Sequence, residues 1–238
     1  MKRVVITGAG TINALGHDVP ETLEAMREGR CGIGPLEFRD VDRLAVKIGA
    51  QVRGYDPETV FNRQQIALYD RYTQFTLIAA EEAIRQSGLE FGGHLAAETG
   101  VVLGTSGGGL STLDDNYRAV YEEGKNRVHP FVVPKLMNNA AASHVSMEYN
   151  LRGPAFSVAT ACASSNHAMG QAFHMVRSGA ATVMVTGGMV TSLSDSIVRN
   201  QVRETDVRVF PLTILMLWYS GDWRLTSALL AGLAVTVT

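Results

Sequence analysis

Three short apolar runs, each stopped by glycine, constrain this 238-residue chain more than any other feature. Residues 3–7 run into Gly8-Ala9-Gly10, residues 99–103 into Gly104, and residues 182–186 into Gly187-Gly188. Runs that are apolar throughout, rather than alternating, predict strands buried on both faces. Helical stretches lie between them. Pro20 and Glu21 open one that reaches Arg27 and stops at Gly29. Asp70 caps a longer one that reaches Gln86 and stops at Gly88. Two more are expected over residues 113–123 and 134–149. Residues 32–54 read as loop and short strand. Strands alternating with helices predict an α/β fold with a mainly parallel sheet flanked by helices. Phe75, Ile78, Ala79 and Glu82 follow three-and-four spacing, widened by Ala83 and Ile84, so that helix packs on the sheet. In such sheets ligands bind beyond the carboxyl ends of the strands.

Two of the glycine stretches invite nucleotide readings, and both fail. A dinucleotide fingerprint needs a third glycine where Asn13 stands. The 8–10 turn is therefore read as structural. In Gly104-Thr105-Ser106-Gly107-Gly108-Gly109, a phosphate loop would need a lysine where Leu110 stands. These glycines instead let backbone approach a neighbouring helix or an acyl chain closely.

The chemistry concentrates in residues 155–179. An apolar run, Ala155, Phe156, Val158 and Ala159, reads as a buried strand. Small residues follow, Thr160, Ala161, Cys162, Ala163, Ser164 and Ser165, and then a helix stopped by Gly179. A cysteine at such a turn faces the positive end of the helix dipole and its free N–H groups. That setting favours a thiolate nucleophile, and the N–H groups could hold the oxyanion of an attacked thioester. A lone cysteine is more commonly a small buried hydrophobe. Here its small neighbours leave room for a substrate.

Net charge is −2, which gives no electrostatic case for nucleic acid or an anionic membrane. The uncharged stretches 209–221 and 225–238 each fall short of the roughly 18–20 residues that span a bilayer. Two cysteines, Cys31 and Cys162, are too few for a disulfide framework and suggest a reducing, cytoplasmic setting. His167 and His174 are about 10 Å apart along a helix, too far to share a zinc ion. No metal site or cofactor is expected.

"ATACASSNHAMG", preceded by "LRGPAFSV", resembles the nucleophile region of the β-ketoacyl-acyl carrier protein synthases, the elongating ketosynthases of the thiolase-like superfamily. "RVVITGAGTINALG", "GVVLGTSGGGL" and "HPFVVPKLMNNAAASHVSMEYNLRGP" extend the resemblance in the family's order, over residues 3–188. It implies a thiolase-like N-terminal half at 1–188 and a divergent tail at 189–238. It implies that Cys162 takes an acyl group from acyl carrier protein and condenses it with a malonyl unit, as in fatty acid biosynthesis. Gly107 and Val132 would border the acyl pocket, Gly107 replacing an isoleucine common in the family. His167 matches a position outside the catalytic pair and is read as packed and hydrogen-bonded. A homodimer is implied, joined through residues 155–159.

The same resemblance raises a difficulty. The family's two catalytic histidines come from its second half, and here the last histidine is His174. The expectation is a chain that acylates but does not condense alone. Two other readings are a non-catalytic partner of a complete ketosynthase, and a frame-shifted gene whose tail from about Met189 is foreign. Against the frame shift stands a real divergent segment that covers the sheet.

Overall fold

The computed structural model describes residues 3–37, 39–189 and 234–237. In chain order the elements are β1 (Ile6–Gly10), α1 (Val19–Arg27), β2 (Ile33–Pro35), β3 (Ile48–Ala50), α2 (Arg63–Leu68), α3 (Arg71–Ser87) and α4 (Gly93–Ala97). They continue with β4 (Thr99–Gly104), α5 (Leu110–Tyr121), α6 (Val132–Leu136), α7 (Ala140–Glu148), β5 (Ala155–Val158), α8 (Ser164–Ser178), β6 (Val183–Gly188) and β7 (Ala234–Val237). Five strands form one sheet in the order β1-β7-β6-β4-β5, and β2 and β3 form a separate antiparallel pair.

Every residue of β4 and β6 is buried, as the unbroken apolar runs predict, but β1, expected to be buried in the same way, is only partly so, with Ile6 exposed. Successive side chains alternate between the two faces. Val101, Leu103 and Val185 join Tyr72, Leu77 and Ala80 of α3 and Ala141 and Val145 of α7 in one core cluster. Val102 and Met184 join Ala168, Ala172 and Val176 of α8 in the other. The sheet is thus held between two helical layers. β4 lies parallel to β5 and β6, whereas β7 runs antiparallel to both its neighbours, β1 and β6.

The boundaries depart from expectation in four places. The first strand includes the glycines of 8–10 rather than ending at them. A Cβ on Gly8 would sit 1.9 Å from the Ala83 carbonyl oxygen, and one on Gly10 1.9 Å from that of Ala79. These glycines let the backbones of β1 and α3 touch; they do not form a turn. Glu82 belongs to the α3 stripe for a polar reason. Its carboxylate accepts the N–H groups of Thr11 (2.9 Å) and Val19 (2.8 Å), tying down the chain after β1.

The helix expected over 134–149 is two helices. Met137 takes an extended ψ of 139°, and its carbonyl accepts the Tyr72 hydroxyl at 2.5 Å. The Asn138 carbonyl accepts from Ser157 Oγ at 3.0 Å. The break between α6 and α7 is stabilised by bonds to distant elements, which local spacing does not encode. Finally, α5 begins three residues before residue 113, and β6 runs from Val183 to Gly188 rather than over 182–186.

The readings of the tail fall mostly on residues 190–233, outside the described residues. Within the described set, residues 234–237 are the strand between β1 and β6.

Candidate active site

β4, β5 and β6 run in the same direction and end side by side at Gly104, Val158 and Gly188. The Thr105 N–H donates to the Val158 carbonyl at 3.1 Å, and the Met189 N–H to the Gly104 carbonyl at 3.0 Å. These bonds lock the three ends together. The N-terminus of α8 rests directly on them. A Cβ at Gly104 would come within 2.2 Å of the Ser164 carbonyl group, so any side chain there would lift the helix off the strands.

Between β5 and α8 the chain makes a tight elbow. Ala161 is held at φ 50°, in the left-handed region that an alanine occupies only under constraint. The constraint is visible around it. The Ala163 N–H donates to the Thr160 carbonyl (3.0 Å) and the Ser164 N–H to the Ala161 carbonyl (3.1 Å). Ser164 Oγ accepts the Thr160 N–H at 2.8 Å and donates to the Ala161 carbonyl at 2.7 Å. Cys162 stands at the crest of this elbow, solvent-exposed and with a free thiol. The next residue, Ala163, is the N-cap of α8, and among the described residues no side chain caps that helix. The first-turn N–H groups of an α-helix have no acceptor within the helix, which suits them to an oxyanion.

The sequence-derived site residues fall out as follows. Gly107 lies partly exposed in the loop after β4, its N–H 3.4 Å from Thr105 Oγ1. Val132 is the first residue of α6 and is partly buried. The loop docks on α6, with the Gly109 N–H donating to the Leu136 carbonyl at 3.1 Å. His167 is exposed and has no side-chain hydrogen bond among the described residues, which corrects its reading as a packed, bonded residue. The sheet-facing stripe of α8 is Ser164, Ala168, Ala172 and Val176, and His167 lies outside that four-residue repeat. The β5 strand is likewise not buried. Among the described residues it is an edge of the sheet, and Phe156 is 36% exposed.

Sequence reasoning passed over Ser164, which appeared only as one small residue of the turn. The available signal was a serine at a helix start, where the hydroxyl competes for nearby backbone groups. His144, on α7, lies edge-on to Tyr69 with ring centres 4.5 Å apart, and burial pushes its pKa down. Among the described residues no group of three or more His, Cys, Asp and Glu could hold a metal ion. No described helix is long and apolar enough to cross a membrane.

A family model described as "Beta-ketoacyl synthase, N-terminal domain" matches residues 1–204. The chain belongs to the β-ketoacyl synthase family. That match runs beyond Gly188, where the sequence motifs leave off. Among the family's curated members, Nodulation protein E of Rhizobium sp. (strain N33) is 42% identical over 187 residues, covering 79% of this chain and 46% of that protein. The 3-oxoacyl-[acyl-carrier-protein] synthase 2 of Coxiella burnetii is 35% identical over 187 residues, covering 79% and 45%. The chain therefore spans about half the length of these relatives. A solved structure of a type II PKS acyl-carrier protein in complex with its ketosynthase bound to the hexaketide aligns with a TM-score of 0.70 at 22% identity. That alignment covers 87% of this chain and 55% of the other. The fold is the thiolase-like fold of the β-ketoacyl synthases.

Proposed function

We propose that this β-ketoacyl synthase chain accepts an acyl group from an acyl carrier protein thioester onto Cys162. The observation that carries the reading is the elbow. It presents an exposed thiol where three parallel strands end, one residue before an uncapped helix N-terminus. The Cys162 thiolate attacks the thioester carbonyl, forming the S–C bond. The negative charge on the tetrahedral oxygen falls to backbone N–H groups, that of Cys162 among them. Collapse of the intermediate breaks the old C–S bond and releases the carrier thiol, with the proton given up by Cys162. The relatives' names and the carrier complex of the structural neighbour support acyl carrier protein as the donor. Gly107 and Val132 border the acyl slot in this reading.

Condensation is a separate requirement. Decarboxylating a malonyl thioester builds charge that needs aimed donors, each typically contributing a hundredfold to a thousandfold. The resemblance assigns those donors to two histidines with no match in this chain. Acylation without condensation is therefore the activity proposed for the chain alone. Self-association through β5 belongs to the same proposal, supported by its exposed edge and Phe156. So does a cytoplasmic setting, because a nucleophilic thiol works where thiols stay reduced.

The experiment mixes the full chain with an acyl thioester and then with malonyl-acyl carrier protein. Mass spectrometry is expected to find acyl mass on Cys162, none in Cys162→Ala, and no β-ketoacyl product. Condensation by the chain alone would overturn the division of labour. Absence of acylation would leave the reading as a non-catalytic partner subunit. Sedimentation of the same sample tests the dimer, and a monomer at micromolar concentration would count against it.

A further inference from the structure

We propose that Ser164 is a positioning residue for Cys162, acting through the left-handed turn at Ala161. The inference rests on the reading of Cys162 as the nucleophile. An alanine at φ 50° returns to an ordinary conformation unless something opposes it. The Ser164 hydroxyl spans that residue, taking the N–H of Thr160 on one side (2.8 Å) and giving its proton to the carbonyl of Ala161 on the other (2.7 Å). It therefore ties the peptide group before Thr160 to the one after Ala161, so the turn cannot open at Ala161 without breaking one of the two bonds. Ser164 is 4% exposed, so water does not replace these bonds when the hydroxyl is lost. Its own backbone has nowhere to go, because Gly104 lies directly beneath it. The clamp is thus fixed from below and holds the elbow from within. Cys162 is the residue whose direction changes if the grip is released.

The geometry makes a specific demand. Ser164 matters because Ala161 resists its conformation, so the two residues must be coupled. Glycine adopts a positive φ without cost. Placing glycine at 161 removes the resistance that Ser164 works against. A merely structural hydroxyl would contribute the same amount whatever stands at 161.

The test uses the full chain in four forms: unaltered, Ser164→Ala, Ala161→Gly, and both together. The first readout is alkylation by iodoacetamide, with the Cys162 rate measured against Cys31 in the same molecule. Cys31 is exposed and far along the chain, so it reports on reagent activity, and circular dichroism of each form reports on folding. Ser164→Ala is expected to alter the Cys162 rate while leaving Cys31 unchanged. The second readout is acyl transfer from an N-acetylcysteamine thioester. There Ser164→Ala is expected to lower kcat by about ten- to a hundredfold, with KM little changed. Adding Ala161→Gly is expected to recover most of both losses. Equal effects of Ser164→Ala in the two backgrounds would overturn the proposal, as would an unchanged Cys162 in folded Ser164→Ala. If Ser164→Ala fails to fold, a folded double variant supports the coupling and an unfolded one refutes it. If the unaltered chain does not transfer acyl groups, the alkylation series still decides the role of Ser164.

Discussion

Asp70 Oδ2 accepts two hydrogen bonds from one residue, the backbone N–H of Thr112 at 2.9 Å and its hydroxyl at 2.6 Å. The other oxygen, Oδ1, accepts the Tyr72 N–H at 3.1 Å and caps α3. One carboxylate, 4% exposed, therefore secures the first turns of α3 and α5, 42 residues apart in sequence. Asp70→Ala removes an N-cap worth about 1 kcal/mol. It also strands buried donors on Thr112, at about 1–3 kcal/mol. The expected loss is about 2–4 kcal/mol, read from urea unfolding midpoints at constant slope. A loss below about 1 kcal/mol would mean that α5 does not depend on this bond.

That double role marks the limit of what the sequence disclosed. Asp70 was legible as a cap because an N-cap acts on residues two or three along. Its second partner was not, because nothing local announces Thr112. The same division runs through the fold. Gly88 and Gly179 were readable as helix stops, and both take the left-handed conformation. The break at Met137 was not readable, since it depends on Tyr72 and Ser157. At the site, the turn and the cysteine were visible as small residues between a strand and a helix. The exposure of β5 and His167 depends on which faces the rest of the molecule covers, and a one-dimensional pattern cannot report that.

Glycine positions give opposite expectations within one molecule. Gly10→Ala would drive a methyl to 1.9 Å from the Ala79 carbonyl oxygen and 2.8 Å from the Ala83 nitrogen. Both are helix backbone, which cannot rotate aside. The expected cost is about 3 kcal/mol, the upper part of the range for overpacking. Gly170, inside α8, has nothing within 4 Å of its would-be Cβ. Gly170→Ala should stabilise by about 0.5–1 kcal/mol, the helix preference of alanine over glycine. Thermal melts of the two variants should move in opposite directions. A destabilised Gly170→Ala would show that this face of α8 is covered.

Acid should weaken the fold through His144. Burial lowers its pKa below the ordinary 6.5, so the unfolded chain binds the proton more readily than the folded one. The stability tied to the neutral ring is fully present above 6.5. It is lost as pH falls through the depressed folded value. Unfolding free energies measured across this range should decline on the acid side. His144→Gln should remove part of that decline while leaving the neutral-pH slope alone. An identical acid profile in the variant would assign the effect to other groups.

Base should act through one buried tyrosine, Tyr72, and two half-buried ones, Tyr55 and Tyr149. Burial pushes Tyr55, Tyr72 and Tyr149 up to about 12, from an ordinary value of 10.0. A raised folded value means that the stabilisation is whole below 10 and disappears as pH climbs toward 12. Tyr72 also loses its proton donation to the Met137 carbonyl when it ionises. Ultraviolet titration should therefore show a late group of tyrosines that ionise together with unfolding. Tyr72→Phe should keep the fold at neutral pH but lose stability, by about 1 kcal/mol for the bond. A smooth single titration of all tyrosines near 10 would contradict this burial.

The last prediction concerns residues 234–237. β7 pairs with β1 through Gly8–Thr236, Ala9–Val235 and Gly10–Ala234, and with β6 through Val185–Thr236 and Thr186–Val235. Removing it would leave β1 with no strand partner among the described residues. It would also open the β6 edge, in the middle of the sheet. What remains to hold β1 is its contact with α3. That contact includes the Ala9 N–H donating to Gln86 Oε1 at 2.6 Å and the Thr11 N–H to Glu82. Gln86 occupies the outward N–H, which blunts the outer edge of β1 but cannot replace the inner one. A chain ending at residue 233 should therefore exchange its β1 amides faster, with β6 affected on the same side. β4 and β5 should be little changed, since their parallel pairing is independent of β7. Exposed strand edges also recruit one another, so the shortened chain should sediment as larger species at equal concentration. Unchanged exchange in Ile6–Gly10 would show that β1 draws its protection from α3 alone, and that the carboxyl-terminal strand is dispensable to the sheet.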